Sequence, residues 1–193
     1  MPKTRTDARE RILAIADQLF YQEGIRAIGV DTIIAKSEVA KTTLYRYFPS
    51  KDDLVVAYLE NRNAQFWALF ETVVQRSTNP EQKLSDIFGW LDELLASETN
   101  YGCPFLMVAS EFPEPDYPGH QVAIAHKTKM RDRFTELAKA QGIQQAEELS
   151  TGLMLLVDGA FVQRRLYRSH QVNLQQAATI LLQAYEPRNI AEA

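Results

Sequence analysis

The chain has 193 residues, of which 46% are hydrophobic, enough for one large or two small domains with buried cores. Its formal net charge of −4 argues against a protein that coats nucleic acid with its whole surface. No apolar run reaches the roughly eighteen residues of a membrane-spanning helix, and the charged N-terminus does not resemble a signal peptide, so we expect a cytoplasmic protein with no membrane partner.

The N-terminal third predicts three helices. Asp7, with Glu10 three residues later, is a capping pattern that predicts the start of the first helix. Apolar residues then recur with helical spacing as far as Gly24, which predicts its end. A second helix is predicted at 29–36 and a third at 40–48, and the tight turn between them is only three residues long.

The remainder of the chain also predicts helices. They are expected from Ser50 to about residue 77, from Asn79-Pro80 onward, and at about 122–141, 145–169 and 174–185. The stretch 97–119 contains two glycines and four prolines, which predict a loop around the short apolar segment 105–108. Because no useful strand pattern occurs, we predict an all-α fold: a three-helix N-terminal domain, 1–52, and a larger C-terminal helical bundle, 53–193.

The second and third helices match a helix-turn-helix arrangement, whose second helix enters the DNA major groove. In the segment "VAKTTLYRYF", Val39, Leu44 and Phe48 are predicted to face inward. The residues predicted to face outward are Lys41, Thr42, Thr43, Tyr45, Arg46 and Tyr47. Threonine and lysine suit base edges, and tyrosine hydroxyls suit phosphates. Residues 1–51 also carry nine Lys/Arg against six Asp/Glu, the polarity expected if this end meets a polyanion.

Two helix N-termini are candidate phosphate sites. Free N–H groups follow Gly29, and Lys51 lies in the first turn of the fourth helix, where a cation and N–H groups together favour an anion. The alternative for Tyr45, Tyr47 and Phe48 is that they are ordinary core aromatics of a small helical domain.

These residues resemble the tetracycline-repressor (TetR) family of bacterial one-component regulators. The family pattern "ILxAAxxLFxxxG" matches residues 12–24, and "IAxxAGVSxGTLYxYFxSKxxL" matches residues 33–54. The resemblance implies that Lys41, Thr42, Thr43 and Tyr45 line the groove-facing side and that Tyr47 and Lys51 hold phosphate. It also implies a C-terminal domain that dimerises and encloses a pocket for a small effector.

Three positions depart from the family pattern. Glu38 stands where the family usually has glycine, so a turn that needs a positive φ would be strained there. Ala40 replaces the usual serine and removes a helix N-cap worth about 1 kcal/mol. Thr42 replaces a frequent glycine and offers DNA an additional hydroxyl.

The C-terminal bundle is expected to dimerise through its last two helices, which carry apolar residues on more than one side. The residues predicted to line a pocket for a small apolar or amphipathic effector are Phe66, Trp67, Phe70, Phe88, Trp90, Phe105, Met107, Phe112, Asp158 and Gln163. Core packing is the alternative for each of them, and Asp158 needs a partner in its apolar setting. Cys103 has no basic neighbour in sequence and is predicted to be a structural thiol.

The sequence does not favour an enzyme. It lacks a phosphate-binding glycine loop, an HExxH pair and a GxSxG elbow, and its histidines, His120, His126 and His170, lack metal-ligand spacing and are expected at the surface. We therefore predict no cofactor or metal. The predicted function is a dimeric DNA-binding regulator, a repressor released from double-stranded operator DNA by a small molecule. The alternatives are a regulator or architectural protein without an effector and a helical scaffold with a vestigial DNA-binding head.

Overall fold

The structure is a computed structural model that describes residues 5–168 and 173–185, with the side chains of 5–7 and 81 excepted. Every regular element within these ranges is a helix, which confirms the predicted all-α fold. The helices are α1 (Arg5–Glu23), α2 (Val30–Ser37), α3 (Lys41–Tyr47), α4 (Lys51–Val74), α5 (Pro80–Ala96), α6 (Pro104–Glu111), α7 (Pro118–Ala140), α8 (Ala146–Tyr167) and α9 (Leu174–Tyr185). None of them is long and apolar enough to cross a membrane.

The chain divides into two compact units, and the division does not follow a single cut in sequence. One unit contains the chain up to Gln65 together with Pro104–Ala125, and the other contains Phe66–Cys103 and the chain from His126 onward. The first unit is thus larger than the predicted domain 1–52. It is larger because the end of α6 and the segment that follows it bond to the turn between α1 and α2 and to the start of α4.

Local capping chemistry explains several helix boundaries. Ser50 and Asp53 form a capping box at the start of α4: Ser50 N–H donates to Asp53 Oδ2 at 2.9 Å, and Asp53 N–H donates to Ser50 Oγ at 3.1 Å. α5 begins at Pro80, as predicted. α1 begins at Arg5, so Asp7 lies inside the helix and is not its N-cap as predicted.

The prediction of a loop over 97–119 was partly wrong. α6 occupies eight residues of this stretch, and α7 begins at Pro118, earlier than the predicted residue 122. Both helices start at a proline. Proline at the first helical position loses no intrahelical hydrogen bond, so Pro104 and Pro118 begin helices instead of preventing them.

In the first unit, α1 contacts both α2 and α3. Ile12, Ala16 and Phe20 of α1 are fully buried. The guanidinium of Arg62 in α4 donates two hydrogen bonds to the Asp17 carboxylate of α1, at 2.6 and 2.7 Å. This paired, half-buried geometry joins α1 to the middle of α4.

In the second unit, α5, α8 and α9 pack on one another around a core that includes Leu91 and Val157. The N-terminus of α9 is capped by a residue distant in sequence. The Asp92 carboxylate of α5 accepts hydrogen bonds from the N–H groups of Leu174 and Gln175, at 3.0 and 2.8 Å. An anion at a helix N-terminus is favourable, so this contact fixes the start of α9 against α5.

The turn between α2 and α3 generates a stability prediction. Glu38 has φ 52° and ψ 43°, the left-handed conformation that the departure from glycine suggested. A non-glycine residue there is strained by about 1–2 kcal/mol, and glycine's larger unfolded-state entropy offsets part of this. We expect Glu38→Gly to raise the free energy of unfolding by about 0.5–1 kcal/mol in urea titrations.

Glu38→Ala is the matched control for this measurement. Alanine also removes the carboxylate but keeps the strained backbone, so it should give no comparable gain. Equal stabilisation by both substitutions would show that charge, and not backbone conformation, dominates at this position.

Candidate nucleic-acid interface

The side chains of α3 divide as the sequence predicted. Leu44 and Phe48 are almost completely buried, with exposed fractions of 0% and 2%. Four of the six residues predicted to face outward are exposed and the other two are half-buried. The exposed ones are Lys41, Thr42, Tyr45 and Arg46, and the half-buried ones are Thr43 and Tyr47. The helix therefore presents a polar, cationic and aromatic surface on the side opposite its apolar contacts.

The cations of this surface are held only weakly by the protein. Lys41 Nζ lies 3.3 Å from the Asp31 carboxylate of α2, and both side chains are well exposed to solvent. Exposed ion pairs contribute about 0–1 kcal/mol, so Lys41 can exchange this partner for another anion. The Arg46 guanidinium lies 5.1 Å from the centroid of the Tyr47 ring, a cation–π distance that orients both groups.

The turn that leads into α3 has little local stabilisation. Ala40 is extended and caps α3 without a side-chain hydrogen bond, as its departure from serine predicted. The N–H of Thr43 bonds instead to the Ala40 carbonyl at 2.8 Å. On the other side of the turn, the buried Ser37 hydroxyl donates to the Ile33 carbonyl at 2.6 Å. The orientation of α3 consequently depends on the burial of its apolar side.

The N-terminus of α2 is open to solvent. Gly29 precedes the helix in an extended conformation, and no atom lies within 4 Å of the position a Cβ would take. This space would let a phosphate approach the N–H groups of the first turn. The exposed Asp31 in the same turn opposes an anion, although its pairing with Lys41 offsets that charge.

Lys51 has a partner that the sequence did not reveal. Its Nζ donates a hydrogen bond of 2.7 Å to the carbonyl of Ile25, in the turn between α1 and α2. Burial lowers the pKa of this ammonium group, against the opposing effects of Glu111 and Asp52. The expectation that Lys51 holds DNA phosphate stays a prediction, and the structure adds that the same ammonium group satisfies a backbone carbonyl of the first unit.

Sequence reasoning missed Glu111, the last residue of α6. Its two carboxylate oxygens accept hydrogen bonds from the backbone N–H groups of Ile25, at 3.0 Å, and Arg26, at 2.6 Å. Glu111 and Lys51 together satisfy the N–H and the carbonyl of Ile25. No sequence signal marks this contact, because 86 residues separate Glu111 from Ile25.

The segment after α6 makes further contacts within the first unit. The Arg26 guanidinium lies 4.8 Å from the centroid of the Phe112 ring, and Phe112 stacks on Tyr117 at 4.2 Å. The Tyr117 hydroxyl donates to the Asp52 carboxylate at 2.9 Å, and burial with this bond raises the tyrosine pKa. This segment therefore contacts both the α1–α2 turn and the start of α4.

The ten residues predicted to line an effector pocket do not all belong to one unit. Phe105, Met107 and Phe112 lie in the first unit, where Phe105 is buried and Phe112 stacks as described above. The other seven lie in the second unit. Of these, Phe70 and Phe88 are fully buried, whereas Gln163 is exposed. Core packing therefore accounts for Phe70 and Phe88.

Asp158 has the partner that its apolar setting required. Its carboxylate forms an ion pair with Lys127 Nζ, between α8 and α7. Burial alone would lower the pKa of Lys127, but Cys103 and Asp158 outweigh burial and raise it. Cys103 is buried, and its basic neighbour in space is 24 positions away in sequence.

The histidines differ from the surface positions predicted for them. His126 is buried in the second unit, and His120 is half-buried, with its Nδ1 2.8 Å from the Phe112 carbonyl. His170 lies outside the described residues. No group of three or more potential metal ligands occurs in the part of the chain that the structure describes.

Two short helices joined by the turn 38–40, with an exposed polar face on the second, have the arrangement of a helix-turn-helix DNA-binding protein. Residues 12–58 match the family model of bacterial regulatory proteins of the TetR family. A TetR-family transcriptional regulator from Streptomyces coelicolor superposes with a TM-score of 0.91 at 29% identity, over 94% of this chain and 97% of that one.

Two curated relatives carry names of the same kind. An uncharacterized HTH-type transcriptional regulator from Lactococcus lactis is 23% identical over 97% of this chain and 89% of its own length. The Escherichia coli transcriptional repressor NemR is 38% identical over 63 residues, 33% of this chain and 32% of that protein. Residues 12–58 are therefore similar to the DNA-binding segment of TetR-family transcriptional regulators, and the described fold is similar to that of one such regulator.

Because Lys51 bonds to the carbonyl of Ile25, its structural role can be tested separately from any role in DNA binding. We expect Lys51→Met to lower the free energy of unfolding by about 1–3 kcal/mol without DNA present, because the Ile25 carbonyl loses its partner. Lys41→Met, which removes only an exposed ion pair, should change it by less than about 0.5 kcal/mol. Urea unfolding of the two variants checks this, and equal stabilities would remove the structural role.

Proposed function

We propose that the chain is a repressor that binds operator DNA as a homodimer and is released when a small molecule binds the C-terminal helical region. The observation that carries the DNA-binding part is the exposed polar face of α3 above the buried Leu44 and Phe48. The match of residues 12–58 to the TetR family model supports it, as does the 63-residue similarity to a relative named a repressor.

In this proposal the residues of α3 have two kinds of role. Lys41, Thr42, Thr43 and Tyr45 meet base edges in the major groove, and Arg46 and Tyr47 meet phosphates. Base-edge contacts discriminate between sequences, whereas phosphate contacts fix position and contribute equally on every duplex. The open N-terminus of α2 after Gly29 supplies a further phosphate contact, and Lys51 adds positive charge while it holds Ile25.

An apolar stripe on α8 supports dimerisation through the last two helices. Leu155, Val162 and Leu166 are 70%, 53% and 68% exposed, and their spacing places them on one helix face. Gly159 lies in the same stripe, with no atom within 4 Å of the position a Cβ would take. Ile180 of the neighbouring α9 is also exposed. Large exposed apolar side chains in a row mark protein contact surfaces, and a second copy of this chain supplies a matching stripe.

The roles on α3 can be separated by comparing specific with random DNA. Footprinting the DNA upstream of the protein's own gene identifies the operator. We expect Thr43→Ala to reduce the preference for operator over altered operators by about 1–3 kcal/mol. Tyr47→Phe should weaken binding to operator and random duplex equally. Thr72→Ala, an exposed threonine of α4, is the matched control and should change neither.

Affinities are measured by fluorescence anisotropy at several salt concentrations, because phosphate contacts depend on salt. Equal losses on operator and random DNA for both Thr43→Ala and Tyr47→Phe would contradict the assigned roles. A dimer that binds no duplex at low ionic strength would contradict the proposed function as a whole.

The dimer surface has its own test. We expect Leu166→Glu to convert the dimer to a monomer in sedimentation velocity and to abolish operator binding, because a carboxylate would be buried against an apolar stripe. Leu69→Glu is the matched control, since Leu69 is 54% exposed but lies on α4, away from the stripe. A Leu166→Glu protein that remains dimeric would show that the subunits pair through another surface.

A further inference from the structure

An aromatic cluster in the second unit has features that core packing alone does not explain. Phe66 of α4 lies 5.3 Å from Trp90 of α5 and 5.0 Å from His126 of α7, measured between ring centroids. Trp67 contacts Phe66 at 5.7 Å and Phe70 at 5.0 Å. Phe66 and Trp90 are only half-buried, so this cluster is not closed on all sides.

Trp67 carries the most informative atom of the cluster. The residue is 7% exposed, and its Nε1–H finds no acceptor among the described residues. Buried polar groups in folded proteins are almost always hydrogen-bonded, and an orphaned donor needs an explanation. An indole N–H in an aromatic environment provides one strong directional interaction for a ligand that carries an acceptor.

The charges around the cluster restrict the ligand further. Lys129 Nζ lies 4.2 Å from the centroid of the Trp67 ring, and Lys127 follows His126 in α7. Burial, and then Lys127 and Lys129, lower the pKa of His126 to about 3, so this imidazole is neutral at physiological pH. Aromatic rings alone would attract a cation. Here the ammonium groups of Lys127 and Lys129 disfavour a cationic ligand, although the Lys127–Asp158 pair moderates the positive potential.

We propose that the effector is a planar aromatic compound with a neutral or anionic oxygen acceptor, which accepts a hydrogen bond from Trp67 Nε1 and packs against Phe66 and Trp90. This inference rests on the proposed function, in which the second unit binds an effector. The rings supply an apolar contact surface, the indole N–H sets the orientation of the oxygen, and the neighbouring ammonium groups exclude cationic aromatics. Trp67 is therefore the specificity-determining residue of the site.

Three naphthalene probes of similar size test each part of this inference. 1-Acetonaphthone carries a neutral oxygen acceptor, naphthalene carries none, and 1-naphthylmethylammonium carries a cation. The protein has two tryptophans, so the two indole N–H resonances of the ¹⁵N-labelled full chain are assigned from Trp67→Phe and Trp90→Phe. We expect 1-acetonaphthone to move the Trp67 indole proton downfield, and naphthalene to leave it without a downfield shift, because only the ketone accepts a hydrogen bond.

Affinities from isothermal titration calorimetry complete the test. Trp67→Phe keeps an aromatic ring but removes the N–H. It should therefore weaken the binding of 1-acetonaphthone by about tenfold and leave the affinity for naphthalene unchanged. Trp90→Phe is the matched control and should affect the two probes equally. 1-Naphthylmethylammonium should bind at least about tenfold more weakly than 1-acetonaphthone.

The inference is overturned if 1-acetonaphthone leaves the Trp67 resonance of the wild-type protein unmoved, or if the cationic probe binds as tightly as the ketone. The resonance is read on the unsubstituted protein, so misfolding of a variant cannot produce either result. Operator affinity is measured separately with saturating 1-acetonaphthone. If the probe engages Trp67 without releasing DNA, the ligand chemistry stands and the effector part of the proposed function fails.

Discussion

The proposed DNA-binding surface depends on the burial of two side chains: Leu44, within the seven-residue helix α3, and Phe48, which directly follows the helix. A helix this short is not stable by itself, because too few hydrogen bonds repay its nucleation. Burial of Leu44 and Phe48 contributes about 1.5–3 kcal/mol for each side chain and fixes α3 where it contacts α1 and α2. The residues of α3 that face outward are then not needed to hold the helix in place. The same contacts that stabilise the helix thus decide which of its side chains are available for the proposed contacts with DNA.

The position of α2 depends on a contact made from α6. The N–H and the carbonyl of Ile25 are satisfied by Glu111 and Lys51, and the N–H of Arg26 is also satisfied by Glu111. These bonds hold the turn that ends α1 and precedes the open N-terminus at Gly29. The DNA-binding head therefore includes the end of α6 as a structural part. The first unit extends beyond residue 52 because this carboxylate bonds to the turn between α1 and α2.

Local patterns predicted most of the fold and the orientation of α3, because helical spacing places neighbouring residues on known faces. They failed at Pro104 and Pro118, where proline begins a helix as readily as it ends one. Local patterns could not identify contacts between residues that are distant in sequence. The Asp158 carboxylate required a counter-ion, but only the fold identifies Lys127. In the same way, nothing near Lys51 indicates that its ammonium group bonds to Ile25.

The turn between α2 and α3 shows why a locally unfavourable sequence can persist at a binding surface. Glu38 adopts a left-handed conformation that glycine would adopt without strain, and Ala40 gives α3 no side-chain cap. Both features reduce local stability, and the buried side of α3 compensates for them. The exposed Glu38 carboxylate favours the N-terminus of α3 electrostatically but repels nearby phosphates. A turn with this charge disfavours indiscriminate duplex binding. In the proposed function, affinity therefore has to come from the specific contacts of α3 and from the pairing of two subunits.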